Sequence, residues 1–327
     1  MTEGCAIVGI GSYLPERVLT NADLERIVDT TDEWITSRTG IRERRMAAEG
    51  EHTSTMATAA SRIALERAGV AAGDLDLIIV ATITPDMPFP ATACLVQEEL
   101  GAAKAAAFDL EAACTGFLYA LEIGRQFIES GTHKNVLIIG AEKLSSIIDW
   151  KDRNTCVLFG DGAGAAVLRR RAGARGVLAT RLGSDGGKAD ALAMPGGGCR
   201  QPATVDSVNE RIHFLKMEGK EVFKNAVNAM TAAAQEVLER SGLGIGDIRC
   251  IIPHQANQRI ISAVGDRLGA TEGQVFVNLQ KYGNTSAASV AIALDEAVRE
   301  GKIERGDKIL LVAFGAGLTW GATVLEW

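Results

Sequence analysis

Cys114 stands in AAAFDLEAACTGFLYALEIGRQFIESG, residues 105–131, and a reaction can be built outward from it. The run before it ends as a strand. After it, Phe117, Leu118, Leu121, Phe127 and Ile128 recur at helical spacing, and Gly131 is a natural stop. Cys114 is therefore expected where a strand hands over to a buried helix. There the unpaired N–H groups and the helix dipole favour an anion. That placement predicts a lowered thiol pKa and a nucleophilic thiolate. Ala112 and Ala113 leave room for a substrate. Taken alone, the residue reads as a buried structural thiol, the commoner fate of a free cysteine. Two more residues change its standing. His254 directly follows the apolar run IRCIIP, at the carboxyl end of an expected strand, and Asn284 follows Gly283 in YGNTSAAS. Each alone is an ordinary loop or turn residue. Cysteine, histidine and asparagine together form a set known to support nucleophilic catalysis.

What brings the three together is a repeat. Residues 64–79, ALERAGVAAGDLDLII, align with residues 237–252, VLERSGLGIGDIRCII, at an offset of 173 positions. The same offset pairs Ala120-Leu121 with Ala293-Leu294 and VLIIG from Val136 with ILLVA from Ile309. It also carries Cys114 onto Ala287, just after Asn284. A period this long excludes a solenoid and predicts a duplicated α/β unit. GAGAAVL at 162–168 resembles WGATVL at 320–325. The halves are expected to divide as 1–172 and 173–327. Residues 169–210, with Arg169-Arg170-Arg171 and MPGGGC, read as a connection plus loops. Loops at the carboxyl ends of corresponding strands can converge on one site.

Other stretches fill in the frame. Residues 5–10 read as a strand, 54–69 as an Ala-rich helix, and LDLIIVATIT as a buried strand. The Pro-rich PDMPFPATA is expected to expose Phe89. Arg42, Arg44 and Arg45 read either as a solvated face or as an anion site with Trp34 as a stacking surface. His52 and His133 are expected to face solvent, and His213 lacks a partner motif. With 327 residues, 47% hydrophobic and 23% charged, the chain is expected to fold as a globular protein. A net charge of −7 argues against general nucleic-acid binding. No segment reads as a signal peptide or a membrane span, so no membrane partner is expected. Six scattered cysteines without a CxxC pair argue against zinc and disulfides and suit a reducing cytoplasm.

The blocks DLEAACTGF, DRNTCVLFGDGAGAAVL, PHQANQRI, YGNTSAAS and FGAGLTWGA resemble β-ketoacyl-acyl-carrier-protein synthase III, the initiating condensing enzyme of type II fatty acid synthesis. The resemblance runs in order over essentially the whole chain. It implies an α/β thiolase-like fold, two duplicated halves in an αβαβα layering. It implies that Cys114 takes an acyl group from acyl-CoA, acetyl-CoA by default. The tetrahedral oxyanion would be held by the backbone N–H groups of Cys114 and Ala316. The family often has a glycine at the latter position, and an alanine keeps the donor. His254 and Asn284 would hold the thioester carbonyl of malonyl-ACP during decarboxylation. No cofactor or metal is implied.

Trp34, Arg38, Arg153 and Asn257 resemble CoA and pantetheine contacts. Phe159 resembles an acyl-channel residue, and Phe89 one that crosses a homodimer interface. Lys224, Arg259 and, more loosely, Arg267 resemble a patch that docks acidic acyl carrier protein; as a sequence they read equally as surface charge.

Rival readings differ in what they require. A thiolase needs a second reactive cysteine near the C-terminus, absent from AFGAGLTWG. Elongating synthases use a histidine where this chain has Asn284. A plant-type polyketide synthase shares the three residues but differs around them. A starter-unit synthase of a secondary-metabolite pathway could share every block. A thioester hydrolase would release free acid without malonyl-ACP. A non-catalytic partner subunit would lack one of the three residues.

Overall fold

The computed structural model describes residues 3–173 and 175–327. The first half builds a five-stranded sheet from β1 (Glu3–Tyr13), β2 (Leu77–Ala81), β3 (Ala106–Leu110), β4 (Asn135–Glu142) and β5 (Gly162–Ala172), in the order β1-β5-β4-β2-β3. The second builds a four-stranded sheet from β6 (Val177–Ser184), β7 (Cys250–Pro253), β8 (Lys308–Gly315) and β9 (Thr319–Glu326). Its order, β6-β9-β8-β7, repeats that of the first four strands. Directions repeat as well: β2 runs parallel to β4 and β7 to β8, while β5 and β9 are antiparallel to both neighbours. The place of β3 is taken beside β7 by a single parallel bridge, Ile251 to Val275.

Among the described residues, seven helices of eight or more residues complete the frame: α1 (Asp32–Thr39), α2 (Thr53–Ala68), α3 (Thr92–Leu100), α4 (Gly116–Glu129), α5 (Gly219–Ser241), α6 (Gln258–Leu268) and α7 (Ser289–Arg299). Alternation along the strands sorts them into layers. Leu77, Ile79 and Ala81 of β2 and Ile309, Leu311 and Ala313 of β8 share one central core with α4 and α7. Ile78 and Val80 face outward onto α2 and α3, and Leu310, Val312 and Phe314 onto α5 and α6. Both sheets are thus covered on both faces, which is why β2 and β8 read as unbroken apolar runs. Each buried Leu, Ile, Val or Phe side chain contributes about 1.5–3 kcal/mol by leaving water. The halves meet closely: a Cβ on Gly140 of β4 would lie 2.2 Å from the Ala287 carbonyl oxygen. Arg67 of α2 is paired with the buried Asp295 of α7.

Three expectations are corrected. Residues 169–210 are not all connection. Arg169–Arg171 extend β5, and Val177–Ser184 is β6, the counterpart of β1. Thr180, Arg181 and Gly183 interrupt its apolar pattern, which an edge strand tolerates. Arg42, Arg44 and Arg45 do not act as one cluster: Arg42 is exposed, Arg45 is half-buried and donates to the Pro15 carbonyl, and Arg44 turns inward. Arg44 is wholly buried and donates to the carbonyls of Leu19 and Val157 and to Asn21 Oδ1. His133 is half-buried, its ring meeting Phe127 edge-on at 4.7 Å, whereas His52 is exposed.

Candidate active site

The chain enters α4 through a tight turn, Ala113–Thr115, with Ala113 at φ 45° and Cys114 at its centre. A non-glycine residue held left-handed stores strain, and such positions cluster at functional sites. The turn is gripped from the other half. Thr319 Oγ1 lies 3.0 Å from the Ala112 carbonyl and 2.9 Å from that of Ala316. A Cβ on Gly315 would sit 2.7 Å from the Cys114 nitrogen, so only glycine leaves that amide uncovered. The thiol is buried, and burial pushes its pKa up to about 12, against a lowering hydrogen bond from Ser286. Burial thus works against the lowered pKa expected from the helix end.

His254 and Asn284 are both buried and both line the cavity that Cys114 lines. Their hydrogen bonds fix what they offer. Ser289 Oγ accepts from the Gln255 N–H (2.7 Å) and lies 3.0 Å from His254 Nδ1. When that hydroxyl donates to Nδ1, Nε2 carries the ring proton. Burial alone lowers the imidazole pKa to about 3, so the ring is a neutral donor. Asn284 Oδ1 accepts from the Ser286 N–H at 2.9 Å, leaving its NH2 to donate. The Asn284 backbone is held by residues 158–160: its N–H donates to the Leu158 carbonyl (2.8 Å) and its carbonyl accepts from Gly160 (3.0 Å). Gly283, at φ 65°, has no room for a Cβ against that same carbonyl.

The cavity encloses about 1380 Å³. Phe159 and Ala316 line it, as do Trp34, Arg38, Asn257 and Arg259. Arg38 and Arg153 lie over the Trp34 ring at 4.6 and 4.8 Å, joining an aromatic face to two cations. Asn257 caps α6 and donates to the Arg38 carbonyl at 3.2 Å. Phe89 is not part of the cavity; it is 84% exposed. Lys224 and Arg267 stand on the outer surface. Arg267 donates to Asn228, one turn along α5 from Lys224, which sets the two cations on one face.

Several residues at the site were not singled out from the sequence. Lys220, one turn before Lys224, lines the cavity. Ser286, Ser289 and Glu142 surround the reacting groups. Glu142 is fully buried and accepts from Thr84 (2.6 Å) and Thr82 (3.1 Å) hydroxyls, the Ile83 N–H (3.1 Å) and Ser286 Oγ (3.0 Å). Burial raises its pKa to about 7. A carboxylate closing a wholly apolar strand was the available signal. Among the described residues no group of three His, Cys, Asp or Glu side chains is arranged to hold a metal, and no helix is long and apolar enough to cross a membrane.

Comparison with known proteins agrees with this geometry. The 3-oxoacyl-[acyl-carrier-protein (ACP)] synthase III profile matches residues 108–186, and the profile of its C-terminal part matches 238–327. The β-ketoacyl-[acyl-carrier-protein] synthase III of Caldanaerobacter subterraneus is 60% identical over 321 residues, 98% of this chain and 97% of that protein. The crystal structure of 3-oxoacyl-[acyl-carrier-protein] synthase III from Aquifex aeolicus superposes with a TM-score of 0.92 at 52% identity, covering 99% of this chain and 100% of that one. The priming β-ketosynthase of the R1128 polyketide pathway also superposes at 0.92, with 41% identity, covering 99% and 96%. The fold is thus thiolase-like, and the chain belongs to the β-ketoacyl-acyl-carrier-protein synthase III family.

Proposed function

We infer that this enzyme starts fatty acid synthesis by decarboxylative Claisen condensation of a short acyl-CoA with malonyl-ACP, giving β-ketoacyl-ACP, CO2 and CoA. One observation carries the residue assignment: a thiol, an imidazole and a carboxamide, those of Cys114, His254 and Asn284, line a single cavity, with the latter two held by Ser289 and Ser286. Cys114 takes the acyl group, its oxyanion held by the amides of Cys114 and Ala316. Malonyl-ACP then enters. Its thioester oxygen accepts from His254 and Asn284, which stabilise the enolate left by CO2 in a water-poor site. One such donor is worth about 2.7–4 kcal/mol of barrier. The carbanion attacks acyl-Cys114. These steps use side chains and backbone amides of the chain and need no metal or redox cofactor.

Trp34, Arg38 and Arg153 hold the nucleotide end of CoA, and Asn257 its pantetheine arm. Phe159 bounds the acyl pocket, and acetyl-CoA is the starter we assign. Lys224, Arg259 and Arg267, with Lys220 at the mouth, receive acidic acyl carrier protein. Phe89 enters the pocket of a second copy in a homodimer. The enzyme works in the cytoplasm, its halves being 1–172 and 173–327.

Intact-protein mass spectrometry tests the reading. A panel of acyl-CoAs is mixed with wild type and with Cys114→Ala, then chased with malonyl-ACP. An adduct lost in Cys114→Ala and discharged into β-ketoacyl-ACP is the expected result. An adduct that only hydrolyses, or none with any acyl-CoA, would overturn it.

A further inference from the structure

Trp34 and Arg153 come from separate segments, and their stacking needs both segments held in register. Trp34 lies in α1, whereas Arg153 opens the short helix Arg153–Cys156. The turn that delivers Arg153, residues 149–152, is closed by Asp149. The Asp149 carbonyl accepts from the Asp152 N–H at 2.9 Å, and its Oδ1 accepts from the Lys151 N–H at 2.9 Å. The Asp149 carboxylate is buried, and among the described residues its ion-pair partner is Arg211, 62 positions away. Arg211 Nε donates to Oδ2 at 2.8 Å, and Nη2 donates to Oδ1. A two-pronged grip of this kind fixes direction as well as distance.

Arg211 is itself held in an unusual conformation. Its φ is 57°; outside glycine, the other described residues with positive φ are Ala113 and Ser286, on the turns beside Cys114 and Asn284. A non-glycine residue stays left-handed where its surroundings over-determine it. The Phe214 ring lies 4.8 Å from the Arg211 guanidinium. The Leu215 N–H donates to the Ile147 carbonyl at 2.9 Å, and Lys216–Met217 pairs antiparallel with Leu192–Ala193. Ile147, Leu192, Leu215 and Met217 line the cavity, whereas Asp149 and Arg211 do not. The pair thus ties the cavity wall, from behind, to the turn that carries Arg153. The hydrogen-bonded Arg211 holds the Asp149 carboxyl pKa down to about 2, so the pair stays ionised at working pH.

We propose that Arg211 and Asp149 are positioning residues for acyl-CoA: their ion pair locks the 149–152 turn so that Arg153 already stands over Trp34 when the nucleotide arrives. Both act through Arg153. A loosened turn would have to be ordered on binding, and that cost falls on affinity for the nucleotide rather than on the chemical step. The reacting groups are held by other contacts. Thr319 grips the turn of Cys114, Ser289 orients His254, and the Ser286 N–H orients Asn284.

The inference rests on the condensing reading above, in which Trp34 and Arg153 hold the nucleotide end of CoA, and the test separates the two. Steady-state condensation would be measured with the acyl-CoA that gives the fastest adduct and with the matching acyl-pantetheine, which lacks the nucleotide. Arg211→Ala removes the cation; Asp149→Asn keeps the acceptor for Lys151 and removes the charge. Each should raise KM for acyl-CoA about 10-fold while kcat stays within about twofold of wild type. Arg211→Lys keeps a cation without the fork and should stay within about threefold. KM for acyl-pantetheine should change less than about twofold in all three. In an Arg153→Ala background, Arg211→Ala should add less than about twofold, because residues that act through one another are not additive. A wild-type KM for acyl-CoA in folded Arg211→Ala would overturn the inference. So would an undiminished effect in the Arg153→Ala background, or an equal rise in KM for acyl-pantetheine. Should Arg211→Ala not fold, Asp149→Asn decides alone, by itself and in the Arg153→Ala background. A wild type that forms no Cys114 adduct with any acyl-CoA would instead defeat the condensing reading.

Discussion

The turn that carries Cys114 and the turn that follows Asn284 are one backbone device used twice. Ala113 and Ser286 stand 173 positions apart, with φ of 45° and 47°. Each turn is closed by a 3.1 Å bond, Thr115 N–H to Ala112 and Ala288 N–H to Thr285. Each opens directly into a buried helix, α4 or α7. The difference lies in what stands opposite. Cys114 faces Gly315 at the end of β8, and Ser286 faces Glu142 at the end of β4. Gly315 and Glu142 are themselves counterparts at the same offset, and each comes from the half that does not own the turn. A glycine leaves one amide bare for an oxyanion; a carboxylate fills the equivalent space at the other. Duplication supplied the same strained turn twice, and the residue at the facing strand end assigned the roles.

Filling the bare side should do the most damage. Gly315→Val places carbon 2.7 Å from the Cys114 nitrogen and 3.2 Å from its Cβ. Adduct formation should fall by about 10²–10³-fold as the oxyanion donor is lost, with a stability loss of about 1–3 kcal/mol from overpacking. A wild-type acylation rate would mean that the Cys114 amide does not hold the oxyanion. Removing donors on the other side should split the half-reactions. His254→Ala and Asn284→Ala should each lower CO2 release about 10²–10³-fold while the acyl adduct still forms. Asn284→Ala also strands the Ser286 N–H and should cost a further 1–3 kcal/mol or so on melting. Equal melting temperatures for the two variants would sink that coupling.

Much of this was readable in the chain because period and offset are local properties. Strands β2, β4 and β8 are apolar runs in the sequence, and the 173-residue offset pairs the Cys114 turn with the Asn284 turn. Family blocks named Cys114, His254 and Asn284. What stayed hidden depends on burial by distant partners. The Cys114 thiol was expected to be acidified by its helix, whereas burial pushes its pKa up. Arg44 looked like surface charge because its partners, Leu19, Asn21 and Val157, come from separate segments. Ser289 orients His254 from 35 residues away, a link no spacing rule reveals. β6 was lost to its glycine and arginine, and only its pairing with β9 makes it a strand.

The filled side should show in the pH dependence of stability. Glu142 has a pKa of about 7 when folded, against 4.5 as its ordinary value. Between those values the folded state keeps a proton that the unfolded state has released. The stabilisation from this group is therefore full below about pH 4.5 and is lost as pH rises through 7, on the order of 3 kcal/mol in all. Glu142→Gln should remove that slope, so its stability relative to wild type should climb from pH 5 to pH 8 in denaturant titrations. Parallel curves would place the carboxylate's pKa near its ordinary value.

The smallest effect is expected at Ala316, on the glycine-rich loop of the bare side. Outside glycine, the described residues with positive φ are Ala113, Arg211 and Ser286; Ala316 is not among them. An alanine therefore fits its backbone without left-handed strain, and it donates through the same N–H that a glycine would. Ala316→Gly should cost about 0.4–1 kcal/mol of stability by freeing the unfolded chain, and acylation should change less than about threefold. A much faster variant would show that the methyl group, half-buried against the cavity, holds the loop back from the oxyanion. The bare side would then be tuned by its loop as well as by Gly315, and the contrast between the two turns would extend one residue further along the chain.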